Sequence, residues 1–145
     1  MSLHGSYDAD NIFAKIIRGE VPAVKVFEDD QVLAFMDVFP QSRGHMLVIS
    51  KTSKARNLLE AEPKTLGRLI GAVQKAARAV TKALHPEGVV VTQFNGETAG
   101  QTVYHLHFHI IPRWPSEPFG RHGDGDGMAN SAELKVLAEK IAAAL

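Results

Sequence analysis

The chain has 145 residues, 45% hydrophobic and 22% charged, which suits one globular domain with a full apolar core. Sixteen Lys and Arg balance sixteen Asp and Glu, so no global basic field gathers nucleic acid, and any anion must be held by local groups. The lack of cysteine excludes disulfides, thiolate metal sites and cysteine nucleophiles; no apolar run spans a membrane and no signal pattern opens the chain, so the expectation is a cytoplasmic protein without a membrane partner.

Residues 1–9 read as a flexible polar arm. Asp10 or Asn11 can cap a short helix over residues 11–18, with Ile12, Phe13, Ile16 and Ile17 as its apolar face and Gly19 as its stop. Three short strands follow, at residues 24–28, 32–36 and 45–49; Asp29-Asp30 turns the chain between the first two, and the loop 37–44 precedes the third. Residues 54–59 read as one helical turn. Pro63 then opens a long amphipathic helix to Leu84, with Leu66, Leu69, Ile70, Val73, Ala77, Val80 and Leu84 inward and Lys75, Arg78 and Lys82 in water. Residues 89–94 are rich in β-branched residues, 95–100 form a loop, and a last strand closes the sheet.

Residues 114–130 are a Gly- and Pro-rich loop. Its Asp124-Gly125-Asp126-Gly127 lacks the spaced ligands and terminal Glu of a calcium loop. Trp114, Arg113 and Arg121 offer a stacking surface and two positive charges to an anionic leaving group. Residues 131–145 form a C-terminal helix, capped by Ser131, with Ala132, Leu134, Val136, Leu137, Ile141 and Leu145 apolar.

The stretch His105-Leu106-His107-Phe108-His109-Ile110-Ile111 is the chemical signal. Alternate residues of a strand share a face, so the three imidazoles would line one side while Leu106, Phe108 and Ile110 enter a core. Histidine needs partners when buried, and stacking three gives a core nothing. Three histidines and a water can bind catalytic zinc, and imidazole is also a nucleophile near neutral pH. The neighbours Gly100, Gln101, Thr102 and Asn95 suit an oxyanion better than a metal, which favours phosphoryl chemistry with no metal and no cofactor.

This stretch resembles the His-φ-His-φ-His-φ-φ motif (φ apolar) of the histidine triad family of nucleotide hydrolases and transferases. Residues 11–23, 35–41 and 44–51 resemble its opening helix and its second and third strands, so a histidine triad domain is expected over residues 10–113. The resemblance implies an α+β fold, an antiparallel meander of about five strands with one long helix, and a homodimer with a continuous sheet. It implies that His107 attacks the α-phosphorus of a purine nucleotide and is nucleotidylated, that His109 holds phosphoryl oxygens, and that His105 and His45 support them. It implies phosphate contacts from Asn95, Gly100, Gln101 and Thr102, with Thr102 near the leaving group. Asp37 would bond the ribose hydroxyls, and Ile12, Phe13, Ile16 and Val38 would line the base pocket. Residues 99–103 and 111–113 resemble the dinucleoside polyphosphate hydrolase branch, and the N-terminal helix and first strands the nucleoside phosphoramidase branch. The readings are hydrolysis of nucleoside monophosphate conjugates, dinucleoside polyphosphate hydrolysis, a nucleotide-binding regulator with incidental turnover, and a three-histidine zinc enzyme.

Overall fold

The computed structural model describes residues 3–117 and 128–145; Arg121 and Asp124 to Gly127 lie outside the described residues. The element order is α1 (Ile12–Ile17), β1 (Lys25–Glu28), β2 (Val32–Met36), β3 (Met46–Ser50), α2 (Pro63–Leu84), β4 (Gly88–Thr92), β5 (His107–Arg113) and α3 (Ser131–Ala142). Short 3-10 turns at Leu58–Glu60 and Glu97–Ala99 punctuate the loops. The five strands form one antiparallel sheet in the order β1-β2-β3-β5-β4. This is the expected α+β architecture with one change of order. The meander runs through β3, α2 carries the chain across the sheet to the far edge, and β5 returns between β3 and β4 instead of closing the sheet.

Local chemistry accounts for the starts and stops. The Asn11 side chain caps α1 by accepting the Ala14 N–H at 2.9 Å. Gly19 adopts φ +80°, which a residue without a Cβ tolerates as a helix stop. Asp29 Oδ1 accepts the Gln31 and Val32 N–H groups and so builds the β1–β2 turn. The cap of α3 is Asn130, not Ser131: its Oδ1 accepts from Ala132 and Glu133, and the serine is already the first helical residue.

Every residue of β2 and β3 is buried because both faces of the sheet are covered. One face bears Val32, Ala34, Met36, Met46, Val48, Phe108 and Ile110 against α2 and α3. The inward stripe of α2 is Leu69, Ala72, Val73, Ala76, Ala79, Val80 and Leu84. Its alanines let the helix lie close to the sheet. Ile70, expected inward, is 53% exposed at the rim of that stripe. In α3, Leu134, Ala138 and Ile141 are buried, whereas Ala132 and Val136 face out; the helix ends at Ala142, short of the expected 145, and Leu145 beyond it is exposed. The opposite face of the sheet carries Leu33, Phe35, Leu47 and Ile49 beneath Phe13 and Ile16 of α1. No helix among the described residues is long and apolar enough to cross a membrane.

Candidate active site

Strand register places the histidines on the α1 face. His107 sits opposite Ile49, which sits opposite Leu33; His109 sits opposite Leu47, which sits opposite Phe35. The intervening Phe108 and Ile110 enter the α2 core, as the alternation predicts. The two rings on β5 lie 5.0 Å apart, centroid to centroid. His105 departs from the expectation of three histidines on one strand. It lies in a bend before β5 begins, where Leu106 N–H bonds Ala55 O at 3.0 Å.

Hydrogen bonds fix the proton on each neutral ring. His107 Nδ1 lies 2.7 Å from His105 O; a carbonyl only accepts, so Nδ1 carries the proton and Nε2 the lone pair. The Phe13 ring meets His107 edge-on, with centroids 4.9 Å apart. His107 is also the most accessible of the four site histidines, at 7% against 3%, 2% and 0% for His109, His105 and His45.

His109 is set by a chain that begins at a backbone amide. Gln41 N–H donates to His45 Nδ1 at 3.0 Å, which leaves the His45 proton on Nε2. That Nε2 lies 2.9 Å from His109 Nδ1 and 3.4 Å from Asp37 Oδ2. His109 Nδ1 therefore accepts, and its proton sits on Nε2, ready to donate. The two neighbouring rings thus present opposite chemistry on Nε2: a lone pair on His107 and an N–H on His109. Phe94 packs beside His109 with centroids 5.5 Å apart.

His105 is held at both ends. Its Nε2 donates to Ser50 O at 2.9 Å and its Nδ1 accepts from Tyr7 Oη at 2.7 Å. Burial lowers its pKa, while the bond to Ser50 works in the opposite direction. Tyr7 belongs to the segment read as a flexible arm. The chain shows no local sign of its role, which depends on a contact across 98 positions.

The expected phosphate contacts divide into two kinds. Gln101, at 2% exposure, uses its side chain as a brace. Its Oε1 accepts from Gly96 N–H at 2.8 Å, and its Nε2 donates to Arg56 O at 2.7 Å and Val103 O at 3.0 Å. Asn95 accepts from Leu58 N–H and exchanges two bonds with Gln93, so it too shapes the loop. Gly100 and Thr102 are exposed. Gly100 takes φ +107°, a left-handed conformation that favours glycine.

Asp37, the first residue of the loop 37–44 and the expected ribose contact, is 3% exposed. Its Oδ1 accepts Phe39 N–H at 2.8 Å, and its Oδ2 faces His45. Of the expected base pocket, Phe13 and Ile16 pack together on the α1 face, and Ile12 is 42% exposed on α1. Val38 packs instead with the cluster under α2 and α3, because the chain has left the sheet by that point. Trp114 is stacked by the Arg43 guanidinium at 4.8 Å from the ring centroid, a partner the sequence reading missed.

Asp37, His45 and His109 offer three ligand atoms within 4.8 Å of one another. A metal on His45 Nε2 would have to displace the proton there, and Gln41 N–H already occupies Nδ1. The donor set fits a hydrogen-bond relay better than a metal.

A five-stranded antiparallel sheet whose inner strand presents aligned histidines to a small opening helix defines the class. A HIT domain matches residues 18–116, and the chain belongs to the HIT, or histidine triad, family. It is 41% identical over 131 residues to adenosine 5'-monophosphoramidase hnt1 of Schizosaccharomyces pombe, covering 90% of this chain and 94% of that one. It is 39% identical over 119 residues to adenylylsulfatase HINT3 of Arabidopsis thaliana, covering 78% of this chain and 60% of that one. A crystal structure of a Hit-like protein involved in cell-cycle regulation from Bartonella henselae superposes with a TM-score of 0.90 at 50% identity, covering 97% of this chain and all of that one.

Proposed function

We propose that the chain is a nucleotide hydrolase that cleaves nucleoside monophosphate conjugates at a P–N or phosphoanhydride bond through a nucleotidylated His107. The observation that carries this reading is the bond from His107 Nδ1 to His105 O, which puts the lone pair on Nε2 without a separate base. In the first step Nε2 attacks the α-phosphorus, and the bond to the amine, acyl or phosphate group breaks; that group departs with the bonding pair, an amine taking up a proton from solvent as it leaves. In the second step water attacks the phosphorus and gives up a proton to solvent, and Nε2 leaves with the electron pair it had donated, so His107 is again neutral with its proton on Nδ1. His109 Nε2–H is oriented to donate to a phosphoryl oxygen as negative charge gathers there. The purine base would lie against Phe13, Ile16 and the exposed Ile12. A second copy pairing along the edge of β4 would continue the sheet as a homodimer.

Two related activities support this class: the S. pombe relative is named a monophosphoramidase and the A. thaliana relative an adenylylsulfatase. Dinucleoside polyphosphate hydrolysis is the second reading. Its support is the likeness of residues 99–103 and 111–113 to that branch; the Arg43–Trp114 pair adds nothing to it, because Trp114 packs with the cluster under α2 and α3, on the face away from the histidines. The test is rapid quench of the enzyme with an adenosine phosphoramidate labelled at phosphorus, followed by mass mapping under alkaline conditions. One nucleotidyl group on His107 is expected, and none on a His107→Asn variant. That variant should lose more than about a hundredfold in kcat and still bind nucleoside monophosphate. Turnover retained by His107→Asn refutes covalent catalysis.

A further inference from the structure

The N-terminal segment is tied into the site at several points. Leu3 O accepts from the Nδ2 of Asn57, a fully buried side chain whose neighbour Leu58 donates its N–H to Asn95. Asp8 O accepts from the Asn11 side chain, and Ala9 O from Arg18. Between these anchors Tyr7 reaches the bend that precedes β5. Its hydroxyl lies 2.7 Å from His105 Nδ1, and the two rings are tilted with centroids 5.7 Å apart.

The direction of that bond follows from the other end of the ring. Ser50 O can only accept, so His105 Nε2 carries the proton. In the neutral ring Nδ1 is then an acceptor, and the Tyr7 hydroxyl is its donor. His105 is thus clamped between β3 and the N-terminal segment. Its own carbonyl receives the His107 Nδ1 proton. A shift of residue 105 moves that carbonyl and, with it, the plane of the His107 ring.

We propose that Tyr7 is a positioning residue for the reaction. Its hydroxyl holds His105 so that the His105 carbonyl keeps His107 in the attacking tautomer and orientation. The segment carrying Tyr7 is therefore part of the active site, and Tyr7 acts on His107 through residue 105 without touching substrate. The kinetic half of this proposal rests on His107 being the nucleophile; the spectroscopic half does not.

The experiment uses the full chain with Tyr7→Phe, which keeps the ring beside His105 and deletes only the hydroxyl. Single-turnover nucleotidylation of His107 is expected to slow by about tenfold, with KM for the nucleotide conjugate within about twofold of wild type. Nitrogen NMR of the protein labelled at histidine should show the His105 Nδ1 signal move toward that of an acceptor without a donor. The His107 Nδ1–H signal should shift with it. Wild-type nucleotidylation in Tyr7→Phe overturns the proposal. So does a loss matched by an equal fall in melting temperature or carried wholly in KM, since each describes a structural or binding role. Should neither wild type nor variant turn over any nucleotide conjugate, the covalent reading fails separately. The proposal then stands or falls on whether the His107 Nδ1–H signal responds to removal of the Tyr7 hydroxyl.

Discussion

Replacing Gln101 separates two roles that its place in the sequence does not distinguish. As a phosphate donor, its loss would weaken ligand binding and leave the fold intact. The geometry assigns it three bonds within the protein, to Gly96 N–H, Arg56 O and Val103 O, at 2% exposure. Gln101→Ala strips partners from one buried donor and two carbonyls. At roughly 1–3 kcal/mol for each buried group left unsatisfied, with water entering the vacated space to recover part, the net loss should be about 2–4 kcal/mol of stability. Gln101→Glu is a sharper probe. It keeps an acceptor for Gly96 N–H but aims a carboxylate at two carbonyl oxygens, so it should destabilise at least as much at neutral pH. It should recover partly once the carboxyl is protonated and regains one donor. Urea unfolding followed by the fluorescence of Trp114, the single tryptophan, measures both. A Gln101→Ala variant within about 0.5 kcal/mol of wild type, with weakened phosphate binding, would refute the assignment of Gln101 as a brace.

Asp37→Ala should weaken ribonucleotide binding by about 1–3 kcal/mol and, because Asp37 is buried against His45, lower the melting temperature as well; calorimetric titration with ribo- and 2′-deoxyribonucleotides checks the first effect and thermal unfolding the second. Exhaustive chelation should leave turnover unchanged, because the proton fixed on His45 Nε2 opposes a metal there; loss of rate with recovery on adding zinc would overturn that argument. The buried His105 has a lowered pKa, so the unfolded chain binds its proton first as pH falls. Its stability contribution is fully present above the unfolded value of about 6.5 and is lost as pH falls from there through the folded pKa. The stability gap between wild type and His105→Asn should narrow across that acid window, as read from urea midpoints at each pH.

The elements with a strong local signal were legible. The alternation at residues 107–110 gave both faces of β5, and the spacing of Leu69, Val73 and Val80 gave the long helix. The side-chain roles that depend on distant partners were not legible. Gln101 reads as a surface donor until Arg56 and Gly96 are placed around it. Asp37, at the start of a loop, gives no sign in the sequence that His45 will fold over it. Tyr7 looked like part of a loose end because the histidine that holds it is nearly a hundred positions away. The order of β4 and β5 was similarly hidden: hydropathy marks a strand's faces but not its neighbours.

The return of β5 to the interior of the sheet, between β3 and β4, ties the candidate site to the integrity of the whole fold. His107 and His109 pair with β3 across about sixty residues of intervening chain, so ring closure over α2 and β4 must be complete before the two imidazoles meet their partners. Such long-range pairings form late and slowly, and a partly folded chain has no working fragment of the site. The amides of Phe108 and Ile110, on an interior strand paired to β3, should exchange with solvent only through global opening. Refolding followed by recovery of turnover should therefore coincide with the last structural phase, which makes catalysis itself a clock for completion of the sheet.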